Sequence, residues 1–194
     1  MQNVGMSGPM RLSAKQLRAM ASSKRLAILA ALRAGGPQSI LDLSASLSVE
    51  PKGLYYHIRA LVEHGLIERD SVRRGVRREE AVYAAVGRRF EIDFSSDSAE
   101  VRDAGAELTQ TLVRQNARLW QSAAQSLPAS DWRRGGLWLD TINCRLTEPQ
   151  ILEMKSRFRE LFDWATSLEQ GATGARVCVT VFGSPVVSKG VSDQ

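Results

Sequence analysis

Apolar residues recur every three or four positions through most of the first 65 residues, which predicts four helices there. The first two helices are expected near 13–20 and 22–34, and the run Gly35-Gly36-Pro37 ends the second. After residue 65 the alternation changes to a period of two. This change predicts a β-hairpin whose first strand begins at Leu66 and whose second strand runs over 80–86.

Two short helices separated by about three residues are predicted between Ser39 and Gly65. Ser39 and Asp42 have the spacing of a capping box, so the first helix of the pair covers about 40–47. Pro51 suits the first position of the second helix, and Gly65 is a typical left-handed residue after its end. Two helices joined in this way form the helix-turn-helix pattern.

The second helix of the pair has an apolar side and a polar side. The apolar side is expected to be buried and is formed by Leu54, Ile58, Leu61 and Val62. The outward side carries a lysine, two adjacent tyrosines and an arginine: Lys52, Tyr55, Tyr56 and Arg59. Charge, hydroxyl groups and flat apolar surface suit contacts in the major groove of DNA. The alternative is that one tyrosine packs on the neighbouring helix and the other is exposed by chance.

The tip of the β-hairpin is rich in arginine. Four arginines surround Gly75 at the turn: Arg73, Arg74, Arg77 and Arg78. A hairpin directly after the second helix is a wing, and an arginine-rich tip can lie along phosphates or enter a minor groove. The alternative is a charged, solvated loop that blocks edge-to-edge pairing of strands.

A long helix is predicted over about 97–127, after a connector at 87–96 where the composition changes. At about thirty residues and ~1.5 Å rise each, it would span about 45 Å, more than a small domain needs internally. A second copy of the chain is the expected cover for its apolar stripe. The alternative is packing on its own domain, because Gln115 interrupts the stripe and the repeat is not a clean heptad. The stripe comprises Val101, Ala104, Leu108, Leu112, Leu119, Ala123 and Leu127.

The last third of the chain is predicted to contain strands over 137–146 and 176–182 with a helix over 147–170 between them. Thr147 and Gln150 have capping-box spacing at the start of this helix. The relative direction of the two strands stays open. The predicted fold class is therefore mainly α with a small β content (α+β). A winged helix-turn-helix domain is followed by a long helix and a small helix-strand-helix-strand C-terminal domain.

These elements divide the chain into four parts. A tail is expected over 1–11 and a DNA-binding domain over 12–94. A dimerisation or effector-binding domain is expected over 95–186, with a second tail over 187–194.

The chain has 194 residues and a net charge of +5, and the positive charge is unevenly distributed. Residues 1–94 carry 15 lysines and arginines against nine acidic residues, a net of +6, whereas residues 95–194 have a net of −1. This asymmetry favours a polyanionic partner for the first half, although a basic surface also fits an acidic protein or a membrane. No apolar run of about 18 residues and no secretion signal occur in the sequence, so a cytoplasmic protein without a membrane partner is expected.

The sequence offers little for catalysis or metal binding. Cys144 and Cys178 are the only cysteines, too few for a disulfide scaffold or a four-ligand zinc site, and they are expected to be small core residues. Pairing Cys144 with His57 or His64 would lack a third group to orient the histidine. We therefore predict no enzyme, and no catalytic, cofactor-binding or metal-binding residue.

Three stretches carry a resemblance to a known family: LRAMASSKRLAILAAL, VEPKGLYYHIRALVEHGLIE and VYAAV. With them, residues 14–86 resemble the winged helix-turn-helix domain of ArsR-type bacterial transcription regulators. The resemblance implies a homodimer that places one recognition helix from each subunit in successive major grooves of a roughly palindromic site. It also implies that the four polar residues on the second helix face DNA. The cysteine pair of metal-sensing members would fall on 40–47, which contains no cysteine.

The leading interpretation is a DNA-binding transcription regulator, and two alternatives stay open. The C-terminal domain could sense a redox signal through Cys144 and Cys178, or an unknown small-molecule effector in a pocket lined by tryptophan. All four tryptophans lie in this half: Trp120, Trp132, Trp138 and Trp164. The second alternative is a winged helix that binds protein without binding DNA, because a fold does not determine a function.

Overall fold

A computed structural model of the chain describes residues 10–74, 79–87, 90–91, 98–128, 130, 139, 141–168, 178–181 and 183. The chain divides into two compact units, 1–126 and 127–194. The predictions made for 1–9, for the wing tip at 75–78 and for 184–194 lie outside the described residues.

The first unit contains the predicted helices and the predicted hairpin. Its elements, in chain order, are β1 (Met10–Arg11), α1 (Ala14–Met20), α2 (Ser23–Gly35), β2 (Gln38–Ser39), α3 (Ile40–Leu47), a 3-10 turn (Pro51–Gly53), α4 (Tyr55–Glu63), β3 (Ile67–Arg74), β4 (Glu79–Ala85), β5 (Phe90–Glu91) and α5 (Ala99–Ser126). The predicted fold class, mainly α with a small antiparallel sheet after a helix-turn-helix, is confirmed.

The sheet has three antiparallel strands in the order β2-β4-β3. Pairing of Ser39 with Val82 joins β2 to the hairpin, and pairing of Ile67 with Ala85 closes the base of the hairpin. A separate parallel pair joins β1 to β5. Strands of two residues carry no periodicity, so β1, β2 and β5 could not be predicted from the pattern of apolar residues.

One apolar core supports the helix pair. Its largest fully buried side chains come from α1 to α5 and the start of the hairpin: Leu17, Ile28, Leu29, Leu43, Leu54, Leu61, Leu66, Ile67 and Leu108. Ala104 and Leu108 bring the first half of α5 into this core. The first compact unit consequently extends to Ser126, and the functional boundary between residues 94 and 95 stays a prediction.

The helix pair starts and ends where the sequence predicts, because local capping groups are in place at both ends. Ser39 and Asp42 form the expected capping box at the start of α3. Gly65 has a φ of +64°, which confirms the left-handed residue after α4. The side chain of Gln16 donates a hydrogen bond to the carbonyl oxygen of His64 over 3.1 Å, so α1 also holds the end of α4.

Arg33 on α2 links the helical core to β5. Its guanidinium lies over the ring of Phe90, with Cζ 3.9 Å from the ring centroid. Burial lowers the pKa of Arg33 to about 10, so the side chain is still a cation at neutral pH. A desolvated cation over an aromatic face is stabilising, and this contact holds β5 against α2.

Two details of α4 differ from the prediction. Pro51 begins a 3-10 turn, and the α-helix itself begins at Tyr55. Val62 is 41% exposed and does not belong to the buried stripe. The helix has only nine residues, and the i, i+4, i+7 positions Leu54, Ile58 and Leu61 already fill the side that meets the core.

The second unit contains one described helix, α6 (Glu148–Ser167). It starts as predicted, because the backbone N–H of Thr147 donates to Oε1 of Gln150 over 2.9 Å. The prediction of two strands in this unit is wrong for the residues that the structure describes. Residues 139 and 141–146 of the first and 178–181 of the second have no regular structure. Alternation of apolar and polar residues supplies no pairing partner, and a strand without one is not stable.

Two side chains that the sequence predicts to lie in the core are exposed. Cys144 and Cys178 are exposed free thiols and not core residues. Trp120 on α5 and Trp164 on α6 are 44% and 59% exposed, while Trp132 and Trp138 lie outside the described residues. Among the helices that the structure describes, none has the length and apolar character needed to cross a membrane.

The packing of α4 generates a stability prediction. Leu61→Ala is expected to lower the free energy of unfolding by about 2–5 kcal/mol, because it leaves a cavity at a fully buried position. Val62→Ala, at the next residue, is the matched control and should cost less than about 1 kcal/mol. Urea unfolding monitored by circular dichroism measures both changes. Equal losses for the two variants would contradict the assignment of Val62 to the surface.

Candidate nucleic-acid interface

The structure places the four predicted residues of the second helix on the surface. The inner side of α4 is closed by Leu54, Ile58 and Leu61, which are 1%, 3% and 0% exposed. On the outer side, Tyr55 is 50% exposed and Tyr56 is 72% exposed. Lys52 on the 3-10 turn and Arg59 on α4 are also exposed. The core thus holds one side of this segment while the other presents two phenols between two cations.

Both tyrosines keep much of their side chain at the surface. The rings of Tyr56 and the adjacent His57 have an edge-to-face arrangement, with centroids 5.4 Å apart and planes at 73°. Neither phenol oxygen forms a hydrogen bond in the described part of the chain. Both hydroxyl groups are therefore available to a partner as donors and acceptors.

The base of the wing is fastened to the start of α3 through Arg73. Nη2 of Arg73 lies 3.0 Å from Oδ2 of Asp42, 3.2 Å from Oε2 of Glu80 and 3.2 Å from Oγ of Ser39. Asp42 is also the capping-box residue of α3, so one carboxylate serves the helix start and the wing. The hairpin and the first helix of the pair are thereby held in one orientation.

The electrostatics of Asp42 follow from this position. Its pKa is lowered from the ordinary value of 3.8, chiefly by the hydrogen bond from the backbone N–H of Ser39 and then by the bonds from Arg73 and the Ser39 hydroxyl. The two carboxylates in turn raise the pKa of Arg73. Asp42 is accordingly an anion at neutral pH, and its charge is directed at the wing.

Of the remaining wing arginines, one lies within the described residues and two lie outside them. Arg74, at the end of β3, is exposed and forms no ion pair within the described residues. Arg77 and Arg78, together with Gly75, lie outside the described residues. Arg74 is therefore the described wing arginine whose guanidinium is free to meet an external anion, while Arg73 is occupied internally.

Two further cations lie close enough to α4 to act on one of its side chains, and the sequence did not indicate them as candidates. Lys24 and Arg25, in the first turn of α2, act electrostatically on His57 of α4. Burial lowers the pKa of His57 first and these two charges lower it further, so the imidazole is neutral at neutral pH. The only sign of these two cations in the sequence was the basic pair in SSKR. The helical spacing of apolar residues placed that pair on a supporting helix, away from the predicted DNA contacts.

Among the described residues, no group of three histidine, cysteine, aspartate or glutamate side chains is placed to hold a metal ion.

The wing anchor predicts a pH dependence. Because the pKa of Asp42 is lower in the folded protein than in the unfolded chain, its contribution is present above about pH 4 and is lost as the pH falls through the folded value. Asp42→Asn should therefore be less stable than the wild type at pH 7, and the difference should shrink towards pH 3. Urea unfolding across this range measures it. Asp70→Asn removes an exposed carboxylate on β3 and should show no such pH-dependent difference.

Comparison with known protein families gives one match. Residues 20–70 match a helix-turn-helix domain family, from the end of α1 to within β3. No curated protein matches the chain. The matched range contains α3, the 3-10 turn and α4, and domains of this family occur in winged helix-turn-helix regulators. The chain therefore carries a helix-turn-helix domain of the kind that DNA-binding regulators use.

Proposed function

We propose that the protein is a transcription regulator that binds double-stranded DNA with α4 in the major groove. The observation that carries this proposal is the outward display of Lys52 on the 3-10 turn and of Tyr55, Tyr56 and Arg59 on α4, whose opposite side is locked into the core. The helix-turn-helix match over 20–70 and the positive charge of the first half support it.

The side chains on α4 divide into two kinds of contact. Tyr56 is the most exposed large hydrophobic side chain of the segment, and its phenol can meet a thymine methyl with the ring and a base edge with the hydroxyl. Tyr55 is less exposed and is placed beside it. Lys52 and Arg59 flank the pair and supply charge for phosphates or for guanine. The tyrosines therefore supply sequence preference, and the cations supply affinity and register.

The wing acts on the DNA backbone or in the minor groove beside the helix. Arg74, Arg77 and Arg78 are the proposed contacts, since a cation that neutralises a phosphate releases bound counterions. Arg73 contributes chiefly by holding the hairpin to α3, because its Nη2 is shared among Asp42, Glu80 and Ser39. Arg73 can contact DNA only when its guanidinium separates from Asp42, Glu80 and Ser39.

The active form is proposed to be a homodimer joined through α5. Val113, Leu119 and Trp120 on the second half of α5 are 47%, 49% and 44% exposed, although Ala104 and Leu108 in its first half are buried in the core. A second copy of the chain would cover them. Two copies would present their α4 helices to half-sites about 34 Å apart on a roughly palindromic duplex, which is the arrangement that the resemblance to ArsR-type bacterial regulators implies.

Selection of bound duplexes from a random pool tests the function and supplies the site for the next measurement. The expected result is a motif of two inverted half-sites. Recovery of no enriched sequence from a correctly folded protein would contradict sequence-specific binding.

On the selected site, the two kinds of contact should separate. Arg74→Ala is expected to reduce the slope of log K against log salt by about 1, because one phosphate contact is lost. Tyr56→Ala should instead reduce the preference for the selected site over unrelated DNA by roughly 1–3 kcal/mol and leave the slope unchanged. Lys155→Ala, which removes one exposed charge from α6, is the control and should alter neither quantity. Identical effects of the two interface variants would contradict the division of roles.

The dimer proposal has its own test. Leu119→Glu puts a charge into the exposed apolar surface of α5 and should weaken self-association at least about tenfold, because the carboxylate would be buried unpaired at the interface. Gln125→Glu adds the same charge at an exposed position on another side of α5 and should leave association unchanged. Sedimentation equilibrium measures both. A wild-type protein that stays monomeric at micromolar concentration would remove the proposal.

A further inference from the structure

A cleft lies between the α1–α2 turn and α5, within the first unit. Its volume is about 380 Å³, within the range of small-molecule sites. Among the side chains that line it are Ser22, Ser23, Arg114, Gln115 and Arg118. None of them belongs to α4 or to the wing, so the cleft is separate from the proposed DNA contacts.

The lining of the cleft is cationic and carries no acidic side chain. Neither guanidinium is neutralised by an ion pair in the described part of the chain. Arg114 has one polar contact, a long 3.4 Å hydrogen bond from Nη2 to Oγ1 of Thr111. Two arginines, four residues apart on one helix, thus line the same cleft, and no acidic side chain among the described residues is paired with either.

The start of α2 supplies donors on the other side of the cleft. Ser22 is the N-cap residue, and its side chain makes no capping hydrogen bond. The first N–H groups of a helix have no partner within the helix and carry a partial positive charge, so an oxyanion is a suitable acceptor for them.

Gln115 also lines the cleft, but its Oε1 is buried and has no hydrogen-bond partner in the structure, so a molecule in the cleft cannot reach this oxygen. The chemical character of the cleft therefore comes from the two arginines and the start of α2.

We propose that this cleft binds a small molecule that carries a phosphate or carboxylate group. The oxyanion lies between Arg114, Arg118 and the start of α2. The proposal does not depend on DNA binding, because it concerns a site on the α2–α5 side of the unit. The ligand would be held by charge and hydrogen bonds, and not in a pocket lined by tryptophan.

Titration of the full-length protein with inorganic phosphate, and with glycerol phosphate, tests the site in the absence of DNA. Sodium chloride keeps the ionic strength constant, and amide NMR shifts of Ser22 and Ser23 report occupancy. Both probes should bind, and uncharged glycerol should give no shift. The double variant Arg114→Gln/Arg118→Gln should weaken binding at least about tenfold.

Three variants control this result. Lys15→Gln/Lys155→Gln removes the same charge from exposed sites and should bind within about twofold of the wild type. Ser23→Pro removes one helix N–H at a position where proline is tolerated, and Ser22 already has the extended backbone that precedes proline (φ −139°, ψ 125°), so binding should fall a few fold. If the double variant unfolds, Arg118→Gln alone replaces it, because Arg118 is exposed.

Three outcomes would overturn the proposal. Equal binding by the arginine and lysine double variants would show that phosphate responds only to net charge. A reduced salt slope of DNA binding for Arg118→Gln would assign the cleft to a backbone phosphate of DNA. A loss of self-association in Arg114→Gln/Arg118→Gln, without any loss of phosphate binding, would assign it to a carboxylate of a second copy.

Discussion

Burial of one side of α4 is the interaction on which the recognition surface depends. A helix of nine residues is too short to be stable alone in water, so its existence and its rotation come from packing. Leu54, Ile58 and Leu61 supply that packing, and each fully buried side chain of this kind contributes about 1.5–3 kcal/mol. Since these three positions point inwards, Tyr56 and Arg59 must point outwards. The chemistry displayed to a partner is thus a consequence of the apolar positions behind it.

The wing is positioned by a different kind of force. Arg73 joins the hairpin to the capping carboxylate of α3, and because the pair is substantially exposed it contributes little to global stability. Its effect is on orientation: the carboxylate that starts α3 also holds β3. Arg74, the next residue, is consequently presented from a fixed base beside α4, the helix proposed to read the major groove. Coupling of the two elements through Asp42 also means that a change in one is transmitted to the other.

The long helix α5 has two environments along its length. Its first half belongs to the core through Ala104 and Leu108, whereas Leu119 and Trp120 further along are about half exposed. The cleft at Arg114 and Arg118 lies between these two regions and faces the start of α2. A ligand there would bridge α2, which packs against α4, and the surface proposed for dimerisation.

The sequence by itself determined those features whose signals act within a few residues. The capping pair Ser39 and Asp42, the stop at Gly65 and the apolar spacing were enough for the helices, the hairpin and the outward residues of α4, because a helix is defined by hydrogen bonds four residues apart. Tertiary structure decided the exposure of Val62 and the engagement of Arg73 with a helix more than thirty residues away. It also decided that residues 141–146 form no strand and that a cationic cleft opens between α2 and α5. Strand pairs, ion pairs and clefts depend on which distant segments meet, and that is a property of the packed chain and not of any local pattern.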